Sequence, residues 1–349
     1  MDIRAEGTYP GTDMRLTLAT IAGEASPSFF FPVLPERGYE ASPVGRMTAL
    51  LPDMVWGYGI RTFTCGAHET RFHRSACSLL EQDLDLLEET IETTGTAEGK
   101  LTVPLAGPVT CLSHVELSNG HWMWTDAGAV RDLMEQYAEM VAHVINEITH
   151  RTGRDVWIVI DETEAQSVFD GSLSGIHIWE SMPIPDMRTL LSQWGASGAV
   201  APGRVVLRLP DMTQFPDHTW TRYCDSVIRA KTLRLALPFS LRPTAEQRDT
   251  LGELYDQWGT SLELSLPVAV PRQQWRTQAQ RIAQVLHDIA VPPQVEKIPA
   301  VHDTTLRWAA STVSNTTFNA VPFRPAESVA EYVGALAEVP ALVLNEWPQ

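Results

Sequence analysis

The sequence predicts an α/β fold, specifically a (β/α)8 TIM barrel with a long insertion after the first strands. Short apolar runs alternate with longer helical patterns along the 349 residues, which is typical of parallel α/β units. The run at 156–160 is apolar on both faces, as in a parallel strand covered by helices. About eight such runs favour a closed barrel over an open sheet, and one barrel fits this chain length.

The individual elements follow from these patterns. The predicted strands are residues 2–8, 28–33, 100–106, 156–161, 204–209, 232–238, 261–266 and 295–301. The predicted helices are residues 75–94, 127–150, 186–197, 217–230, 244–258, 273–289 and 326–336. We therefore expect residues 1–349 to form a single barrel domain.

Residues 30–76 interrupt this alternation. They hold four prolines and five glycines after Phe30, which indicates an elaborated insertion between the first barrel units. Long excursions of this kind are often lids or binding loops. A structural cap over the barrel explains the segment equally well, and the sequence leaves both open.

Composition limits the partners that the chain can have. The formal charge is −17, from 26 Lys and Arg against 43 Asp and Glu, which disfavours binding to nucleic acid. The first seven residues lack the apolar core of a signal peptide, and no apolar run is long enough to cross a membrane. The four cysteines form no Cys-x-x-Cys pair. We expect a cytoplasmic protein that binds a small molecule, without membrane or nucleic acid, as a possible homo-oligomer or partner of a paralogue.

The strand ends offer candidate functional residues, because TIM barrels carry their sites at the C-terminal ends of the strands. Asp161 and Glu162 end the most apolar strand, where ionised carboxylates need a ligand, a metal or hydrogen bonds. Capping of the next helix is the alternative for this pair. Capping is the favoured reading for Asp13 and Asp303, and His302 beside Asp303 is a weaker candidate base.

Several segments together resemble the cobalamin-independent methionine synthases, in particular their short single-barrel members. These segments are GTYPGTD at 7–13, PVGRMTALL at 43–51, VPLAGPVT at 103–110, and DAGAVRDL at 126–133 followed by IDE at 160–162. The resemblance implies a barrel related in fold to uroporphyrinogen decarboxylase. It also implies methyl transfer from a methyl-folate to zinc-bound homocysteine. The family's contacts to the amino-acid end of homocysteine would fall on Thr8 and on Asp161 or Glu162.

The zinc ligands that the resemblance implies are missing. The family's His-x-Cys pair at the end of the fifth strand falls on Arg208 and Pro210, neither of which can bind zinc. The sixth strand offers no acid, and the predicted last strand offers no cysteine. We therefore expect no cofactor, and in particular no zinc.

Three functions remain open from the sequence. The first is a divergent methionine synthase-like barrel that binds an amino-acid-like or anionic ligand, with Arg208 holding a carboxylate. The second is an active methyltransferase, and the third is a metal-free decarboxylase-type enzyme using Arg208 and Asp161. In the first reading the ligand pocket is lined by Thr8, Asp161, Glu162 and Arg208. Weaker candidates are Asp211, His302 and Asp303.

The missing ligands generate a prediction about metal content. We expect the purified protein to hold no stoichiometric zinc and to form no methionine from homocysteine and a methyl-folate, because Arg208 and Pro210 donate nothing to a metal. Elemental analysis of the purified chain checks the first part. About one zinc per chain would contradict it.

Overall fold

The computed structural model describes residues 2–6, 8–9, 11–24, 28–51, 53–95, 98–169, 187–209, 233–238, 244–258, 262–266, 275–289 and 305–309. The strands within these residues are β1 (Asp2–Glu6), β2 (Ser28–Phe30), β3 (Val55–Tyr58), β4 (Phe63–Gly66), β5 (Lys100–Ala106), β6 (Val115–Leu117), β7 (Asp155–Asp161), β8 (Val205–Arg208), β9 (Arg234–Pro238), β10 (Leu262–Leu266) and β11 (Thr305–Ala309).

The helices alternate with the strands. They are α1 (Met14–Glu24), α2 (Pro43–Leu50), α3 (Arg71–Thr94), α4 (Pro108–Leu112), α5 (Ala127–Thr152), α6 (Ala165–Phe169), α7 (Met187–Val200), α8 (Ala245–Trp258) and α9 (Trp275–Asp288). Among the described residues, no helix combines the length and the apolar character that a membrane span requires.

Eight parallel strands form the barrel. Their order is β1-β11-β10-β9-β8-β7-β5-β2, and every neighbouring pair is parallel. A parallel bridge between Thr8 and Val33 joins the two end strands, and the amide of Tyr9 donates to the Val33 carbonyl over 2.8 Å. The sheet is therefore closed, and the predicted (β/α)8 barrel is confirmed.

A second, smaller sheet lies between the early barrel units. Strands β3 and β4 form an antiparallel hairpin, and β4 pairs in parallel with β6. Most of this sheet belongs to residues 30–76, the predicted insertion, which also holds α2 and the short 3-10 helices Pro35–Arg37 and Tyr39–Ala41.

The barrel strands divide their side chains between two apolar regions. On β7, Val156, Ile158 and Ile160 join the large cluster that includes the helices, whereas Val159 is fully buried outside that cluster. The ring of Trp157 contacts Lys100 of β5 at 4.6 Å and Arg234 of β9 at 5.6 Å. These two strands flank β7 and β8, so the face that carries Trp157 and Val159 lines the inside of the barrel.

Side-chain caps fix where several helices begin. The Asp126 carboxylate accepts from the Ala129 amide over 2.9 Å at the start of α5, and Asp13 accepts from the Leu16 amide over 3.0 Å before α1. The predicted capping role of Asp13 is confirmed. Gly153 ends α5 in the left-handed conformation that glycine adopts without steric cost.

The last strand is a correction to the sequence prediction. It spans Thr305–Ala309, between β1 and β10, and not residues 295–301, which lie outside the described residues. The sequence TLRWA alternates polar and apolar residues, a weaker strand signal than an all-apolar run. The other seven predicted strands are confirmed to within two or three residues at each end. The predicted helices at 217–230 and 326–336 lie outside the described residues.

Candidate functional site

An ion pair occupies the inner face of the barrel at the C-terminal ends of two neighbouring strands. Asp161 ends β7, Arg208 ends β8, and the register pairs them directly. Arg208 Nε donates to Asp161 Oδ1 over 2.9 Å, and its Nη2 donates to the other oxygen, which gives a two-point contact. Only 15% of the Asp161 side chain and 8% of the Arg208 side chain are exposed. The two charges therefore neutralise each other at the barrel mouth.

The next residue faces the opposite way. Successive side chains of a strand alternate between its faces, so Glu162 points away from Asp161 into the layer between strands and helices. Glu162 is completely buried, and its carboxylate accepts four hydrogen bonds. The donors are the amides of Val109 (3.2 Å) and Thr110 (2.9 Å), the Thr110 hydroxyl (3.0 Å) and the Trp194 indole (2.8 Å).

Burial and hydrogen bonding have opposite effects on Glu162. Burial raises the pKa of its carboxyl group, while the hydrogen bonds from Thr110, Trp194 and Val109 lower it, which leaves the pKa at about 7. This carboxylate caps the first turn of α4 and links β7 to α7 through Trp194. All four hydrogen bonds that Glu162 accepts come from donors of the protein itself, and its side chain is completely buried. Glu162 therefore does not line an open pocket.

A histidine and a carboxylate meet on the same C-terminal face. His114 follows α4, Glu164 follows β7, and His114 Nε2 lies 3.5 Å from Glu164 Oε1. The hydrogen bond from His114 lowers the pKa of Glu164 against the effect of burial. Their side chains are 17% and 11% exposed, so both are mostly buried and each keeps some solvent-accessible surface.

The Thr110 hydroxyl connects the two pairs. It lies 3.3 Å from the backbone carbonyl of Asp161, and it accepts from the Glu164 amide over 3.3 Å. The Asp161–Arg208 and His114–Glu164 pairs are therefore held on one framework made of the loops that follow β5 and β7.

The structure brings together only part of the predicted site. Asp161 and Arg208 are in direct contact, and Glu162 lies in its own enclosed environment. Thr8 is half-buried two residues beyond β1, which lies three strands away from β7 around the barrel. Asp211, His302 and Asp303 lie outside the described residues, and the last two precede the last strand in the chain. Ligand binding by Thr8, Asp161 and Arg208 stays a prediction.

Sequence reasoning named neither His114 nor Glu164 as a candidate functional residue. Glu164 carried a signal, since it follows an apolar strand by three residues. His114 lies eight residues beyond β5, and nothing local marks its contact with a residue 50 positions later.

The described cysteines are unsuited to metal or nucleophilic chemistry. Burial raises the pKa of the Cys65, Cys77 and Cys111 thiols, so they stay protonated at neutral pH. Within the part of the chain that the structure describes, no three His, Cys, Asp or Glu side chains group as metal ligands do. The absence of a cofactor remains an expectation from the sequence.

Comparisons with known proteins give likeness of fold alone. No family model matches the chain, and no curated protein matches it. Among solved structures, it is similar to a GH5-4 broad-specificity endoglucanase from an uncultured bacterium (7% identity, 77% of this chain and 76% of that chain, TM-score 0.36). It is also similar to Fpglu1 from Fervidobacterium pennivoraus, at 12% identity and a TM-score of 0.39; the match covers 88% of this chain and 85% of that chain.

A third similar structure is an endo-β-mannanase/endo-β-glucanase from Prevotella bryantii, at 10% identity and a TM-score of 0.34. The matched region covers 74% of this chain but only 38% of that one, so this chain spans well under half of the Prevotella protein.

The predicted relationship to the methionine synthases is wrong. No family model matches the chain, and those of the methionine synthases and of the decarboxylases are among the models that do not match. The physical reason is that the matching segments serve any barrel: Gly107 starts α4, Asp126 caps α5, and residues 160–162 end a strand. The predicted methyltransferase, its divergent zinc-free form and the decarboxylase-type alternative are withdrawn with it.

The enclosure of Glu162 predicts a steric effect at Gly107. A Cβ at position 107 would lie 2.1 Å from Glu162 Cδ, so Gly107→Ala must displace the carboxylate from its donors. We expect a loss of about 2–4 kcal/mol in the free energy of unfolding, measured by urea denaturation. Gly195→Ala in α7 is the control, because its Cβ meets nothing within 4 Å. It should stabilise the chain by about 0.5–1 kcal/mol, and equal effects of both changes would contradict the enclosure.

The raised pKa of Glu162 predicts a pH dependence of stability. The carboxyl group titrates near 4.5 in the unfolded chain and near 7 in the folded one. Its protonated form is therefore favoured by folding, and this stabilisation is lost as pH rises from about 4.5 through 7. The unfolding free energy of the native protein minus that of Glu162→Gln should fall over this range in urea titrations at several pH values. A difference that stays constant or grows with pH would contradict the assignment.

Proposed function

We propose that this protein is an enzyme that transfers protons to or from a polar small molecule on the C-terminal face of the barrel. The His114–Glu164 pair carries the proposal. Histidine is the commonest general base of enzymes, and it acts best where a second group orients its imidazole towards the substrate. Glu164 occupies Nε2 of His114, which leaves Nδ1 without a hydrogen-bond partner among the described residues.

The role of Glu164 follows from its charge. Its lowered pKa keeps the carboxylate ionised at neutral pH, so it stabilises the imidazolium that forms when His114 accepts a proton. In a hydrolytic reaction His114 takes a proton from the attacking water and returns it to the leaving group. Asp161 and Arg208 supply fixed polar atoms to the substrate nearby, because Thr110 connects their strand ends to the loop of Glu164.

The described residues give little support to the acid pair of a glycosidase. Glycoside hydrolysis needs two carboxyl groups flanking the scissile bond. Asp161 is held by Arg208, Glu162 is enclosed and Glu164 is paired with His114. The segments that follow the last three barrel strands, at 239–243, 267–274 and 310–326, contain no Asp or Glu. Carbohydrate cleavage by the usual carboxylate pair is therefore not what we propose.

A panel of chromogenic substrates tests the proposal. The purified protein should hydrolyse at least one of a set of p-nitrophenyl esters, phosphates and glycosides between pH 5 and 9. The variant His114→Gln should lower kcat by about 10²–10⁴-fold, the usual contribution of a general acid or base. Glu164→Gln should lower it less, because it removes the orienting group and leaves the base.

The control is His143→Gln, since His143 lies exposed on α5 on the helix side of the barrel. It should keep the native kcat. Absence of turnover across the panel, or a His114→Gln protein as active as the native one, would refute the proposed role.

A further inference from the structure

A cavity on the helix side of the barrel is separate from the proposed active face. Its volume is about 310 Å³, at the small end of the range for ligand pockets. Phe31, Val103 and Leu105 form its floor on the strands next to α2, α3 and α5. The walls are mostly aliphatic side chains of these helices, namely Ala49, Leu50, Leu80, Leu84, Val144 and Ile148.

Arg46 lines this mainly apolar space, whose other polar lining residues are Glu81, His143 and Glu147. Arg46 of α2 is 5% exposed, its guanidinium lies 4.2 Å from the centre of the Phe31 ring, and its Nη2 donates to the Pro32 carbonyl over 2.6 Å. Its Nη1 is buried and has no hydrogen-bond partner. An unsatisfied donor on a buried cation is costly, so it calls for an acceptor that the described side chains do not supply.

The local charges do not balance. Asp83, 3% exposed, is the carboxylate nearest to Arg46, and its oxygen lies 3.8 Å from Nη2. Arg37 already binds both Asp83 oxygens at 2.7 and 2.9 Å. Two guanidinium groups therefore share one carboxylate. Burial lowers the pKa of Arg46 to about 10, so the group stays protonated at neutral pH and the cluster has a net charge of +1.

The rim of the cavity has the opposite sign. Glu81 and Glu147 line it, and both bind Arg151. That arginine is also shared with other acids, so four carboxylates surround one cation: Glu81, Asp85, Glu88 and Glu147. A ligand with a second negative charge at its outer end would be repelled there.

We infer that the cavity binds a small aliphatic monocarboxylate, with its carboxylate on Arg46 and its chain along the leucines of α2 and α3. The carboxylate supplies the missing acceptor for Nη1 and the missing negative charge of the Arg37–Asp83–Arg46 cluster. The acidic rim selects against a dicarboxylate. The inference is independent of the proposed catalysis, because the cavity lies behind the strands and not at their C-terminal ends.

Calorimetric titration of the full chain with octanoate tests the inference. We expect one saturable site per chain, with weaker binding of octan-1-ol, which lacks the charge, and of octanedioate, which adds a second one. The change Arg46→Met should weaken octanoate binding by about ten- to a hundredfold and leave octan-1-ol binding in place.

Two variants keep the test valid if Arg46→Met fails to fold. Ala49→Phe fills the cavity without touching the arginine and should abolish octanoate binding. Ala19→Phe makes the same change at an exposed position of α1 and should leave it unchanged. His114→Gln should also bind normally, which separates this site from the proposed active face. No saturable binding, equal binding of octanedioate, or native affinity in Ala49→Phe would overturn the inference.

Discussion

The buried carboxylate of Glu162 joins the end of β7 to α4 and α7 at the C-terminal face of the barrel. It lies at the end of β7 and receives hydrogen bonds from the first turn of α4 and from Trp194 of α7. Because the loops that follow β5 and β7 both contact this carboxylate, the positions of Asp161 on one side and Glu164 on the other follow from the same anchor. A buried hydrogen-bond network stabilises a fold only when each of its polar groups has a partner. The four donors around Glu162 meet this condition for its carboxylate.

The three acids between 161 and 164 show how far sequence reasoning reached. The apolar strand before them predicted correctly that carboxylates would lie at the C-terminal end of a barrel strand. Successive side chains of a strand point to opposite faces, however. Asp161 therefore contacts Arg208 on the inner face of the barrel, while Glu162 caps α4 on the outer face. Ligand binding and capping were both open for the pair, and the structure shows capping for Glu162.

The fold was more predictable than the site because its signals are local. Seven strands and five helices could be predicted from the pattern of apolar residues within each segment, because that pattern indicates which side of the segment is buried. The last strand, TLRWA, alternates in polarity and was placed ten residues too early. The contact between His114 and Glu164 joins loops 50 residues apart, and Trp194 reaches Glu162 from another helix. Contacts of this range depend on closure of the barrel and have no signature in any one segment.

Charge balance distinguishes the two regions that matter for ligands. At the barrel mouth the described carboxylates Asp161 and Glu164 each face a basic side chain, Arg208 and His114 respectively. The chemistry that we propose there uses a proton that moves within the second of these pairs. Behind the strands, Arg37 and Arg46 share Asp83, which leaves one positive charge with an unused donor in an apolar space. A buried charge without full compensation is costly, and the unused Nη1 donor of Arg46 adds to that cost. A negatively charged occupant of the cavity would supply both the missing acceptor and the missing charge.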